Sequence, residues 1–136
     1  MEDPNLKFEL NVIPTLGFIN FELHIDNVSE FDYFFESATL HLDNGIYTDD
    51  QEFSVYCNEF IPQTLPPYHL VAKDNLLLSV QVAKAVKQLL KKRYMQNKDC
   101  EISMHVMYGR DEADLGQYRK SGEISVKQLI DKIEAM

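Results

Sequence analysis

Near its start the sequence reads Leu6-Lys7-Phe8-Glu9-Leu10-Asn11-Val12, turns through Pro14-Thr15-Leu16-Gly17, and continues as Ile19-Asn20-Phe21-Glu22-Leu23-His24-Ile25. In both runs an apolar side chain alternates with a polar one. A period of two is what a strand with one buried face requires, because successive Cβ atoms point to opposite sides. The two runs are expected to pair as an antiparallel hairpin.

Working outward, Ser29 to Glu36 is expected to form one or two helical turns, with Ser29 and Asp32 in a capping arrangement, or else an irregular aromatic loop. Ala38, Leu40 and Leu42 resume the alternation, and Asp43-Asn44-Gly45 is the strongest hairpin signal. The return strand, interrupted at Thr48-Asp49-Asp50, is read through Phe53, Val55 and Cys57. Ile61 to Pro67 reads as a proline-broken loop, and Tyr68 to Ala72 as a short strand. Asp74 or Asn75 is then expected to cap a long helix with Leu78, Val82, Ala85, Val86 and Leu89 on one face and Lys84, Lys87 and Lys91 opposite. Ile102, Met104, Val106 and Tyr108 mark a further strand. Gly109 to Gly122 reads as a polar loop, or as a loop followed by a strand leading to Ile124, and Ser125 with Gln128 caps a last short helix. The expected class is α+β: one domain over residues 1–136, with a mainly antiparallel sheet of about five or six strands and a long and a short helix packed on one face.

Charge is distributed unevenly. Residues 1–60 hold thirteen acids and one base, Lys7, for a net of −12; residues 61–136 hold nine acids and twelve bases, for +3; together these make the chain's −9. Such a potential repels phosphates from the first half, so nucleic acid is disfavoured there and a basic protein partner is expected. No run approaches eighteen apolar residues, so no membrane span is expected. Met1-Glu2-Asp3-Pro4-Asn5 is acidic where a secretory signal would be basic, and a cytoplasmic location is expected.

Candidate chemistry is thin. Cys57 and Cys100 have no CxxC or Cys/His company, and Cys57 among acids would have a raised rather than an activated pKa. His24, His41 and His105 fall on outward strand positions and could converge only if register allows; isolated surface histidines are commoner. His41 and Asp43 share a strand side, but Asp43 is better read as starting a turn. The acidic runs at 49–52 and 111–114 lack calcium-loop spacing and read as solvated loops. No GxSxG, GxGxxG or GxxxxGK element occurs. No catalytic residue, metal or cofactor is therefore assigned.

The feature carrying most weight is the mixture of aromatics and carboxylates at 31–36 and 47–52. Aromatics supply contact area, and carboxylates supply complementarity to a basic surface. The partner-binding candidates are Asp32, Tyr33, Glu36, Tyr47, Asp49, Asp50 and Glu52. The expected function is that of a non-enzymatic acidic protein-binding domain masking a basic, nucleic-acid-handling protein. Immunity proteins for nuclease toxins and other protein inhibitors share that profile. Two alternatives stand beside it. One is a small enzyme or ligand-binding domain using outward His and Asp/Glu on an open sheet face. The other is an accessory subunit of a larger assembly, whose open sheet or unpaired edge strand is buried by another subunit. An open sheet face or edge would also support a homodimer.

Overall fold

The computed structural model describes residues 3–60 and 67–135. Eight strands and three short helices follow in the order β1 (Leu6–Pro14), β2 (Phe18–Asn27), β3 (Tyr33–Asp43), α1 (Gln51–Ser54), β4 (Cys57–Phe60), β5 (Tyr68–Leu70), β6 (Asn75–Ala83), α2 (Val86–Gln96), β7 (Glu101–Gly109), β8 (Gln117–Ser125) and α3 (Val126–Glu134). The expected loop at 61–66 lies outside the described residues. The expected hairpin is present: β1 and β2 pair antiparallel in unbroken register from Leu6 opposite Asn27 to Pro14 opposite Ile19.

The strands build two four-stranded antiparallel sheets rather than one. Sheet A has the order β1-β2-β6-β4 and sheet B the order β5-β3-β7-β8. Leaving out the three-residue β5, the remaining seven strands follow the chain-order arrangement of a constant-type immunoglobulin sandwich, four strands over three. That likeness concerns topology and carries no function. Phe21, Leu23, Ile25 and Val82 of sheet A face Phe35, Leu42, Ile102 and Met104 of sheet B, all fully buried. Each such side chain contributes about 1.5–3 kcal/mol of transfer free energy. Phe8, Phe35, Tyr33 and Tyr108 add a ring cluster with centroids 5.3–6.4 Å apart.

Several expectations are corrected. Residues 75–83 are strand β6, not the start of a long helix. Leu78 and Val82 fit both periods, but Leu78, Val80 and Val82 are buried at every second position, and β-branched side chains pack well on a pleated surface. β6 lies between β2 and β4, so the tertiary ladder decides the ambiguity. The helix begins only at Val86. The segment expected as helical turns or loop at 29–36 instead enters β3 at Tyr33, with Tyr33 and Phe35 in the core and Phe34 between them outward. Asp43-Asn44-Gly45 does turn the chain, with Gly45 at φ 88°, but no hairpin results: β3 pairs with β5 and β7. The return strand through Phe53 is the single-turn helix α1, followed by β4 at the sheet A edge. Between the two readings of 109–124, loop alone or loop with a strand leading to Ile124, the second holds: Gln117 to Ser125 is strand β8, paired with β7.

The helices do not cover a sheet face. α2 leaves β6 at Ala83, opposite Phe18, and returns the chain to β7 at Glu101, opposite both Asp43 and Ser125. α3 begins directly after Ser125, whose hydroxyl accepts from the Gln128 N–H. All three helices therefore sit at one end of the sandwich. Loops 3–5, 28–32, 71–74 and 110–116 gather at the other. No helix among the described residues is long and apolar enough to cross a membrane.

Candidate functional site

The seven candidate residues divide between these two ends. Asp32, Tyr33 and Glu36 belong to the loop pole; Tyr47, Asp49, Asp50 and Glu52 belong to the helix pole. A strand the length of β3 separates them, since β3 runs from Tyr33 to Asp43.

At the loop pole, Asn27 is a buried knot. Its side-chain amide donates to the Phe31 carbonyl at 2.6 Å and the Val71 carbonyl at 3.1 Å, while its oxygen accepts from the Ser29 N–H and hydroxyl. Two neighbouring loops are thereby held to one residue. Asp32 completes the tie: one oxygen accepts from the Ala72 N–H at 3.0 Å and the other lies 2.9 Å from His69 Nε2. The hydrogen bond to His69, then that from Ala72, holds its carboxyl below the ordinary aspartate value. Tyr33 is only 2% exposed, and its hydroxyl accepts from the Asn5 amide at 2.9 Å. Burial pushes its phenol upward. It supports the pole from inside. Glu36 is exposed and lines a recess of about 300 Å³ with Pro67, Glu112, Ala113 and Leu115. Phe31, half exposed, is covered by the Arg110 guanidinium 3.8 Å above its ring.

Charge gathers here in a way the linear sequence disguised. The four loops carry Asp3, Glu30, Asp32, Asp74, Asp111, Glu112 and Asp114 against Lys73 and Arg110, seven acids and two bases, a net of −5. Four of those acids come from the basic second half of the chain. The helix-pole segments 44–56, 84–100 and 126–135 carry six acids and eight bases, a net of +2.

At the helix pole the acidic run 49–52 is largely consumed internally. Asp50 is 5% exposed; it caps α1 by accepting from the Glu52 N–H, and accepts from the Asn44 amide and from Arg93 Nε at 2.5 Å. Burial alone would raise its carboxyl, but the Arg93 and Asn44 hydrogen bonds outweigh it and the net shift is downward. Glu52 takes Arg93 Nη2 at 3.0 Å. Asp49 lies 3.2 Å from His41 Nδ1. Tyr47, 67% exposed, is left outermost. The sequence signal for this arrangement was Arg93, the one arginine in a helix whose other bases, Lys87, Lys91 and Lys92, are lysines. Lys87 and Lys91 are likewise engaged, both reaching Glu134 of α3, at 3.6 and 2.7 Å.

The three outward histidines separate. His24 lies on the outer face of sheet A, while His41 and His105 meet on the outer face of sheet B with ring centroids 4.7 Å apart. Tyr118 stacks on His105 at 5.0 Å. Burial, then the neighbouring His41 and Lys120, lowers the pKa of His105. Asp43 does not orient His41; it accepts from the Gly45 N–H instead. Burial pushes the Cys57 thiol up to about 12, which leaves it unreactive at neutral pH. Among the described residues no three His, Cys, Asp or Glu side chains are placed to share a metal ion. No protein-family model matches the chain, and no curated protein matches it by sequence.

Proposed function

We propose that this protein is a non-enzymatic binding module whose acidic loop pole receives a basic protein. The observation that carries the reading is the convergence of carboxylates from all four loops, Asp32 and the 111–114 run among them, with Glu36 of β3 on one end of the sandwich. A pole with a net charge of −5 beside exposed Phe31 combines long-range attraction with a short-range apolar contact. Of the residues singled out in the sequence, Asp32 and Glu36 stay in the proposed contact surface, joined by Glu30, Asp111, Glu112 and Asp114. Tyr33 acts beneath it, and Tyr47 to Glu52 lie at the opposite end. Masking of a basic, nucleic-acid-handling protein remains the role this chemistry suits.

The test is affinity capture with the wild-type protein and with a Glu30→Lys/Asp111→Lys/Glu112→Lys variant. The expected result is a basic protein retained at low salt, released near 0.3–0.5 M salt because surface charge pairs are screened over about 3–10 Å, and not retained by the variant. Retention that survives the variant unchanged would overturn the reading.

A further inference from the structure

The side of the sandwich where β1 faces β8 is open only toward the helix pole. The two edge strands run in the same direction, from the loop pole at Leu6 and Gln117 to the helix pole at Pro14 and Ser125. They belong to different sheets and are not hydrogen-bonded to each other. Side chains close the gap over its first half: near the loop pole Arg119 lies 4.2 Å over the Phe8 ring, and at mid-strand Leu10 packs on Gly122, where an added Cβ would stand 2.7 Å from the Leu10 Cβ. Toward the helix pole the strands part. A trough of about 700 Å³ opens there, lined by the apolar Leu10, Val12 and Ile124 together with the charged Glu123, Asp131 and Lys132.

The two edges are guarded differently. β8 has inward Arg119, exposed Lys120, and a bulge where its register with β7 slips between Met104 and His105. Each of these discourages the addition of another strand. β1 has no bulge, and Leu10 to Ile13 carries no charge. Its hydrogen-bond parity can be worked out. The Val28 N–H donates to the Asn5 carbonyl and the Thr15 N–H to the Phe18 carbonyl, so odd-numbered residues bond to β2. Even-numbered ones turn their N–H and C=O groups outward. The Leu6 N–H is met by the Asp3 carbonyl, and Pro14 has no N–H to offer. Phe8, Leu10 and Val12 therefore present the edge, Leu10 and Val12 alongside the trough.

We propose that the β1 edge from Phe8 to Val12 receives an extended segment of a partner protein as a further strand of sheet A, with alternating apolar and basic side chains. The inward alternates fill the trough against Leu10, Val12 and Ile124. The outward alternates lie beside the outer face of sheet A, where Glu9, Glu22 and Asp26 face Lys7 and His24. Glu22 is within 3.8 Å of His24, while Glu9 stands next to the edge itself. Main-chain pairing supplies affinity in this mode, and the alternating side chains supply specificity. The site uses none of the loop-pole residues, so it stands or falls separately from the preceding reading.

The probe is a capped nine-residue peptide of alternating valine and lysine, compared with its valine–glutamate counterpart. Binding is read by fluorescence anisotropy and by residue-resolved amide exchange. The expected result is slowed exchange at Leu10 and Val12 and roughly tenfold or greater preference for the lysine peptide. Val12→Pro removes an edge-facing donor without touching the β2 ladder, so binding is lost while the melting temperature stays within a few degrees. Should that variant not fold, the exchange pattern of the wild-type protein decides alone. Equal binding of both peptides, no binding at millimolar concentration, or protection confined to the loop pole each overturns the proposal. So does a homodimer in sedimentation that protects the same amides, since the occupant is then a second copy.

Discussion

The two poles of this sandwich carry nearly the same number of carboxylates, seven and six, yet they use them in opposite ways. At the helix pole the acids have partners of their own: Asp50 and Glu52 hold Arg93, Asp49 meets His41, and Glu134 meets Lys87 and Lys91. At the loop pole Asp32 is held by His69 and Ala72 and Glu30 lies 3.3 Å from Lys73, yet the four loops still carry seven acids against two bases, and the Arg110 guanidinium lies over the Phe31 ring. Carboxylates are therefore matched by cations at one end and stand in net excess at the other. The difference lies in the cations brought to them by tertiary structure, not in local acidity.

The comparison breaks most sharply at Arg93. Replacing it with leucine leaves the Asp50 carboxylate buried without its counter-charge, and about 3 kcal/mol of stability should be lost in chemical denaturation. A loss below about 1 kcal/mol, the ordinary worth of an exposed pair, would show the helix pole to be no more committed than the loop pole. The pH dependence has a definite sign. Because the folded Asp50 carboxyl lies below its ordinary value, its stabilisation is present above about pH 3.9 and is lost as pH falls through the lower folded value. Asp50→Asn should flatten that limb of the curve.

Gly45→Ala is the next largest effect. The residue sits at φ 88° against the Asn97 side chain, which donates to the Asn44 carbonyl at 2.9 Å. A left-handed alanine costs about 1–2 kcal/mol, read as a lower denaturation midpoint with an unchanged slope.

His105 titrates on the side of sheet B, away from both ends. Burial lowers its pKa, so the fold favours the neutral ring. Its contribution is complete above about pH 6.5 and is lost as pH falls through the lower folded value. His105→Phe should remove the slope between those limits, and an unchanged slope would assign it to another group.

The smallest effect on stability is expected at the loop pole. Glu30→Lys and Glu112→Lys, at exposed positions, should change stability by about 0.5 kcal/mol or less, while weakening a basic partner's binding and its salt dependence. A large destabilisation would mean that these acids are structural after all.

Much of the fold was legible where a single period held. The alternation in Leu6 to Val12 and Ile19 to Ile25 reads as β1 and β2, Ile102 to Tyr108 as β7, and Ser125 with its stripe as α3. The reading failed where two periods overlapped, at Leu78 and Val82, and where consecutive aromatics hid an alternation, at Tyr33, Phe34 and Phe35. In both places the strand is set by pairing partners distant in sequence: β6 between β2 and β4, and β3 between β5 and β7. Candidate-site residues were legible by type but not by duty. Nothing local distinguishes Asp50, which is buried, from Asp49, or Tyr33, which is in the core, from Tyr47.

The sequence by itself determined the strand-forming alternation of the first hairpin, the capped last helix and the overall excess of acid. These depend on neighbours within a few residues, which the chain carries with it. Tertiary structure alone decided that there are two sheets, that the 111–114 carboxylates join Asp32 and Glu36, and that Arg93 neutralises Asp50. Those outcomes depend on which strands pair across the fold, and a charge is free or spent only once its counter-charge has been placed.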